Sequence, residues 1–374
     1  MRTRKQKHRQ MNKKIIIAGG GTGGHIFPAI AIANALKKAD PSVELLFVGA
    51  KGKMEMEKMP QAGFRIIGID IMGFNRSSLI KNIALPFKLV KSYFQVRRII
   101  ADFMPDAVVG VGGYSTYPVL RYAQSKGIPS FIHEIDSLAG KANKMLGKKA
   151  TKIFTASDGM EKFFPADRIM VVGNPVRANI AHSKVTREEG IRFFGLDPAL
   201  KTVMVTGGSL GAKGINEAID AHLEEFEKNN LQLVWQTGKT YAARAKERAA
   251  GKKNIWTNDF ITKMEYAYAA GDIIISRAGG TIYELCVVKK PAVLVPYPFA
   301  TGDHQTVNAM NLVKKKAGLM IKDSEAKDKL VPAVIALAKN EQQQKELSEN
   351  IGKLAKTDAD TRIAAEILKT ISVQ

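Results

Sequence analysis

His25 stands directly behind Gly19-Gly20-Gly21-Thr22-Gly23-Gly24, five glycines in six positions. Glycine lets a backbone approach a ligand closely and take up φ > 0. A helix opening at such a turn offers unpaired N–H groups and the positive end of its dipole to an anion. An imidazole beside that cradle points to a phosphate-bearing ligand with a proton acceptor within reach, although the ring could also satisfy a backbone group of its own loop. Glu284 lies in the first turns of a helix behind Arg277-Ala278-Gly279-Gly280-Thr281. It either complements the helix dipole or accepts from two vicinal ribose hydroxyls, and one carboxylate can do both. Arg177 follows Gly173-Asn174-Pro175-Val176, at a point where a domain junction would turn it toward a cleft. His133 and Glu134 close a strand at the end where α/β proteins build sites. Gln305 could cap a helix or bond sugar hydroxyls, while His304 and Cys286 read as structural.

Several chemistries are excluded by what is missing. A dinucleotide site wants an acid at the end of the second strand, and here that strand ends Phe47-Val48-Gly49-Ala50. A P-loop wants Gly-Lys-Ser/Thr, which Gly23-Gly24-His25 does not supply. There is no nucleophile elbow, no HExxH and no Cys/His cluster. Asp358-Ala359-Asp360 precedes the last helix and reads as a cap, so no protein-bound metal and no cofactor is expected.

These residues need elements to hold them. Ile15-Ile16-Ile17-Ala18 reads as a buried strand, and Ile30, Ala33 and Leu36 give the next segment a helical period. Strands are expected at 43–48, 65–69, 107–111, 130–133 and 152–155, with a second glycine turn at Gly112-Gly113-Tyr114. Lys201 to Thr206, then Gly207-Gly208-Ser209-Leu210-Gly211-Ala212, then Ile215, Ala218 and Ile219 repeat the opening grammar. Two such starts predict two similar doubly wound α/β domains, each with its own phosphate-type loop. The second continues through strands at 231–236, 254–257, 272–276 and 292–296, a helix opening at Asp303, and an amphipathic helix over 360–368. The chain thus divides into a basic extension at 1–12, a first domain at 13–176 and a second at 177–354. The extension reads as disordered, with a membrane-surface tether as the alternative.

The single cysteine excludes an internal disulfide and fits a reducing compartment. No secretory signal and no transmembrane span is expected, because no run of about 18 apolar residues occurs. The net charge of +22 would suit nucleic acid, anionic lipid or a phosphorylated substrate. It is spread along the chain without a nucleic-acid-binding motif, which counts against nucleic acid. Between Phe74 and Met104 apolar residues alternate with Arg76, Lys81, Lys88, Lys91, Arg97 and Arg98. That is either a core helix with snorkelling lysines or a basic, apolar surface for an anionic membrane.

As an ordered set, the motifs resemble the MurG family of N-acetylglucosaminyltransferases, glycosyltransferase family 28. The set is Gly20-Gly21-Thr22-Gly23-Gly24-His25; Gly112-Gly113-Tyr114; His133-Glu134 with Ala139-Gly140 and Asn143; and Gly173 to Arg177. It continues with Gly207-Gly208-Ser209; Asp259-Phe260-Ile261; Arg277-Ala278-Gly279 with Glu284; and Asp303-His304-Gln305 with Asn308. The resemblance implies a GT-B fold, two Rossmann-like domains facing across a cleft, with the final helix (355–374) packing back on the first. It implies an inverting, metal-independent transfer from UDP-N-acetylglucosamine to the 4-hydroxyl of undecaprenyl-diphospho-N-acetylmuramoyl-pentapeptide, a step of peptidoglycan synthesis. Ile261 would then bind uracil through its backbone and Glu284 the ribose. Ser209 and Gly279-Gly280-Thr281 would meet the diphosphate, and Gln305 the donor sugar. Thr22, Gly23, Gly24 and Arg177 would approach the donor from the other side. His25 is the candidate general base or acceptor-orienting group, with Glu134 as its rival. Residues 74–104 would meet the cytoplasmic leaflet of the bacterial inner membrane. The pattern is broken where Ile135-Asp136 replaces Gln-Asn, putting a carboxylate at a donor-contacting position, and where the Arg277 to Glu284 turn is one residue short. The rival readings are another GT-B enzyme, such as a diacylglycerol glycosyltransferase or a UDP-N-acetylglucosamine 2-epimerase, and a non-catalytic nucleotide-sugar or nucleic-acid binder.

Overall fold

The computed structural model describes residues 12–73, 85–208 and 210–372. The basic extension up to residue 11, the 74–84 part of the segment read as membrane-facing, and Ser209 lie outside the described residues.

Seven described strands form one parallel sheet: β1 (Lys14–Ala18), β2 (Glu44–Ala50), β3 (Ile66–Ile69), β4 (Ala107–Gly110), β5 (Ser130–Glu134), β6 (Lys152–Thr155) and β7 (Ile169–Val171). Their order is β3-β2-β1-β4-β5-β6-β7. Six more form a second parallel sheet: β8 (Lys201–Thr206), β9 (Leu231–Gln236), β10 (Ile255–Asn258), β11 (Ile273–Ser276), β12 (Ala292–Leu294) and β13 (Leu319–Met320). Their order is β10-β9-β8-β11-β12-β13. Both are doubly wound, as the two βα starts predict. The edge strands β7 and β13 are three and two residues long, too short to show a period.

The central strands are apolar runs because helices cover both faces. On β1, Ile15 and Ile17 enter one core while Ile16 and Ala18 enter the other. On β8, Val203 and Val205 face one core and Met204 the other. Six helices build the site and its surroundings: α1 (Gly23–Ala39), α2 (Glu55–Gln61), α3 (Leu85–Phe103), α4 (Thr281–Val288), α5 (His304–Lys314) and α6 (Ala359–Ser372). Helix α6, last in sequence, packs along α1, and its Ile363, Ala364 and Ile367 are buried with Ile15, Ile17 and Ile32 of the first sheet's core.

In each sheet the strand order reverses beside the first strand, between β1 and β4 and between β8 and β11. Loops leave in opposite directions there and open a crevice at the carboxyl ends of the strands. The four glycine turns of the sequence follow these four strands.

Because α6 completes a core begun about 350 residues earlier, Ile363→Ala should lower the unfolding free energy by about 2–5 kcal/mol. The check is the urea midpoint, and a loss under ~0.5 kcal/mol would show that α6 is not part of that core.

Candidate active site

The turns after β1 and β4 are in backbone contact. The Gly20 N–H donates to the Gly112 carbonyl at 3.1 Å. A Cβ on Gly113 would lie 2.4 Å from the Gly20 oxygen, and one on Gly112 would lie 2.6 Å from both Cδ2 and Nε2 of His25. Both residues have positive φ, 95° at Gly112 and 91° at Gly113. Gly112 therefore makes room for the imidazole of the first loop and Gly113 for its backbone at Gly20.

His25 is half-buried in the first turn of α1. Its Nδ1 is 3.1 Å from the Gly20 carbonyl, which can only accept, so Nδ1 carries the proton and Nε2 the lone pair. Burial lowers the pKa of this ring, against the opposing pull of Asp136 and the bond to Gly20. It is thus a neutral base at neutral pH.

Glu134 is the other candidate base, and its oxygens are already engaged. One accepts from the Asp136 N–H (3.2 Å), the other from the Gly140 N–H (3.2 Å) and Asn143 Nδ2 (2.9 Å). Burial pushes its carboxyl up to about 7. Those three bonds hold the turn after β5 and leave one acceptor position on Oε1. His133 is buried behind it, with Nε2 3.4 Å from the Gly173 carbonyl, and burial pushes it down to about 4.

The second half meets this wall directly. A Cβ on Gly280 would be 3.2 Å from Ile135 and 3.7 Å from Gly24 Cα, so the Gly279-Gly280-Thr281 turn faces the start of α1. Tyr283 of α4 donates to the Ile135 carbonyl at 2.5 Å. Asn308 of α5 accepts from the Ser137 N–H (3.1 Å) and donates to Asp136 Oδ1 (3.2 Å) and the Ala278 carbonyl (3.1 Å). His304 Nε2 is 3.9 Å from Asp136 Oδ1. Asp136, where the family pattern has an amide, is thus met by an amide and an imidazole from the opposite half. Gln305 accepts from the Tyr297 N–H at 2.9 Å, and its Nε2 lies over Gly279.

Arg177 and Glu284 face each other across 107 residues of chain. Nε and Nη2 of Arg177 donate to Oε1 and Oε2 of Glu284 at 2.8 and 2.9 Å, and the Tyr268 hydroxyl adds a third bond to Oε2 at 2.8 Å. The guanidinium also stacks 4.9 Å from the centroid of Phe27 on α1. A carboxylate has about four acceptor positions, so this one retains a single free position on Oε1. It can take one ribose hydroxyl with Arg177 in place; taking two requires Arg177 to let go.

Ile261 is buried beside this pair's core, and its N–H donates to Gln236 Oε1 at 3.1 Å. Gln236 also donates to the Gly208 carbonyl at 2.9 Å, so one buried amide ties Ile261 to the glycine turn after β8. Thr22, exposed, precedes α1, and Gly23 begins it. Sequence reasoning missed Gln236, Tyr268, Tyr283 and Glu55; Gln236, Tyr283 and Glu55 act on loops distant in sequence and Tyr268 on the Glu284 side chain of α4, and no local pattern signals that. Among the described residues, no group of three or more His, Cys, Asp or Glu side chains clusters as metal ligands.

A double-mutant cycle between Arg177→Ala and Glu284→Ala should give a coupling energy of about 1–3 kcal/mol in stability. Additivity within ~0.3 kcal/mol would show the pair to be idle.

Known proteins resemble this chain in sequence and in fold. Residues 15–155 match the glycosyltransferase family 28 N-terminal domain and residues 202–363 its C-terminal domain. The chain is 51% identical over 362 residues to the UDP-N-acetylglucosamine--N-acetylmuramyl-(pentapeptide) pyrophosphoryl-undecaprenol N-acetylglucosamine transferase of Phocaeicola vulgatus, covering 96% of each. It is 46% identical over 360 residues to the protein of the same name from Cytophaga hutchinsonii, covering 96% of this chain and 97% of that one. Its structure is similar to that of Acinetobacter baumannii MurG, with a TM-score of 0.77, 30% identity and coverage of 96% and 99%. A UDP-GlcNAc 2-epimerase from Neisseria meningitidis, at 15% identity and a TM-score of 0.66, shares the fold alone. The chain belongs to glycosyltransferase family 28, as one of its MurG members.

Proposed function

We propose that this protein transfers N-acetylglucosamine from UDP-N-acetylglucosamine to the 4-hydroxyl of an undecaprenyl-diphospho-N-acetylmuramoyl-pentapeptide, with inversion at the anomeric carbon. The observation that carries the reading is a neutral imidazole, proton on Nδ1, in a glycine turn that faces a second glycine turn at a helix start. Nε2 of His25 takes the hydroxyl proton as that oxygen bonds to the anomeric carbon. The bond from that carbon to the β-phosphate oxygen breaks, and UDP leaves with the electron pair. Negative charge then grows on the diphosphate, where backbone N–H groups and the dipole of α4 at Gly279, Gly280 and Thr281 stabilise it. Thr22, Gly23 and Gly24 act from the opposite wall, and Ser209 belongs to the same diphosphate set. This needs no protein-bound metal and no cofactor. Glu284 addresses the ribose, and Arg177 moves from Glu284 toward phosphate when both ribose hydroxyls bind. Ile261, its N–H already engaged, addresses uracil through its carbonyl. Gln305 and Asp136 meet the donor sugar.

His25→Ala should lower kcat by about 10²–10⁴-fold with little change in KM for UDP-N-acetylglucosamine. A base works deprotonated, so kcat/KM should rise with pH through a pKa below the ordinary imidazole value of 6.5. Glu134→Gln should leave that limb in place. A limb centred at about 7 that disappears in Glu134→Gln would transfer the role to Glu134.

We further infer that α3 rests on an anionic membrane surface, at the cytoplasmic face of the bacterial plasma membrane, where the lipid-linked acceptor lies. Phe87 (76% exposed), Val90 and Phe94 (61%) lie at helical spacing on its open face, with Leu89 and Tyr93 exposed beside them. Lys88, Lys91, Arg97 and Arg98 surround them and are exposed. Ser92, Val96, Ile99 and Ile100 turn inward. Among the described residues no helix is long and apolar enough to cross a membrane. Nucleic acid is not a partner in this reading. Vesicles with anionic lipid should bind the protein more than neutral ones, and Phe87→Asp with Phe94→Asp should abolish the difference. Equal binding to both vesicle types at low salt would overturn the inference.

A further inference from the structure

Glu55, the first residue of α2, is a carboxylate that the transfer reaction does not use. It is 1% exposed. Its Oε1 accepts from the Ala50 N–H at the end of β2 (2.9 Å), and its Oε2 from the Gly21 N–H (2.7 Å). Two glycines lie against it: a Cβ on Gly20 would be 2.3 Å from its Cδ, and one on Gly49 would be 2.5 Å from its Cγ. The Gly21 N–H and the Gly20 carbonyl belong to a single peptide group. The nitrogen end of that group donates to Glu55, and the oxygen end accepts from Nδ1 of His25.

We propose that Glu55, the Gly20–Gly21 peptide and His25 form a carboxylate–peptide–imidazole relay in which Glu55 is the positioning residue for the base. A peptide group is planar, so fixing its N–H fixes the direction of its carbonyl. Hydrogen bonds in series polarise one another, so an anion on the N–H makes the carbonyl a stronger acceptor. The relay holds the tautomer with the lone pair on Nε2 and stabilises the imidazolium formed when Nε2 takes the acceptor proton. No proton passes along it. The negative charge also favours protonated His25, as Coulomb attraction requires. The proposal rests on reading His25 as the base.

Glu55→Gln tests it. An amide offers one acceptor where the loop presents two N–H donors, so either the Gly21 or the Ala50 donor is left unpaired. The variant should lose about 10- to 100-fold in kcat, with KM for UDP-N-acetylglucosamine nearly unchanged. The acid limb of kcat/KM should move to lower pH, because the charge that raises the imidazole pKa is gone. In a His25→Ala background the same substitution should cost under about twofold. Where His25→Ala itself slows the enzyme, an unmoved limb or an equal loss in both backgrounds would overturn the relay and leave Glu55 a structural residue; where it does not, an unmoved ring pKa would. If Glu55→Gln does not fold, Gly49→Ala keeps the charge but displaces its stem, and the same cycle with His25→Ala decides. Nitrogen NMR of the His25 ring separates the relay from the assignment of the base. A fall in the ring pKa in Glu55→Gln supports the relay even if His25→Ala keeps the wild-type rate, which would remove only the assignment of His25 as base.

Discussion

Backbone meeting backbone without side chains between is the constraint on which this site depends. Gly20 lies against Gly112 and Gly113, and Gly24 lies across from Gly280. The first contact builds one wall from two loops of one sheet; the second brings that wall up to the other sheet. A methyl group at Gly20, Gly112 or Gly113 would overlap a neighbour at 2.3–2.6 Å. The cradle therefore exists only where side chains are absent, and the chemistry must come from residues at its margins. His25 stands at that margin, held through the Gly20 carbonyl.

The two halves are joined there mainly by hydrogen bonds. Tyr283, Asn308 and Asn311 reach across to Ile135, Asp136 and Ser137. Water can take over such bonds at modest net cost, which suits an interface that has to admit and release substrates. The Arg177–Glu284 pair at the hinge differs, being bidentate and partly buried. Its two parallel bonds hold Arg177 of the hinge against Glu284 of the second half.

Buried carboxylates organise the loops of the first half. Glu134 accepts the Asp136 and Gly140 N–H groups of the turn after β5, and Glu55 ties the Gly21 N–H of the turn after β1 to the Ala50 N–H that ends β2. Turns that satisfy their donors this way keep their shape without a sheet or helix to hold them. The second half uses a neutral amide for the same purpose, Gln236, between Gly208 and Ile261.

Much of this was legible in the chain itself. The repeated strand–glycine–helix grammar at Ile15 and Val203 determined two doubly wound domains, because apolar runs bounded by glycine are locally encoded. The same grammar singled out His25, Glu284 and the 279–281 turn as chemical candidates. On α3, composition and spacing left core helix and membrane face both open, since they do not say which side of a helix is covered. Only the tertiary structure decided that Phe87 and Phe94 face outward while Ile99 and Ile100 face in. It alone decided that Glu284 is paired with Arg177, that Glu134 holds its own turn, and that Glu55 stands behind His25. Those pairings join residues between 2 and 107 positions apart. The longer ones leave no local period: strand order places the loops after β1, β2 and β4 side by side whatever their distance along the chain, and the packing of the hinge on the second half brings Arg177 to Glu284.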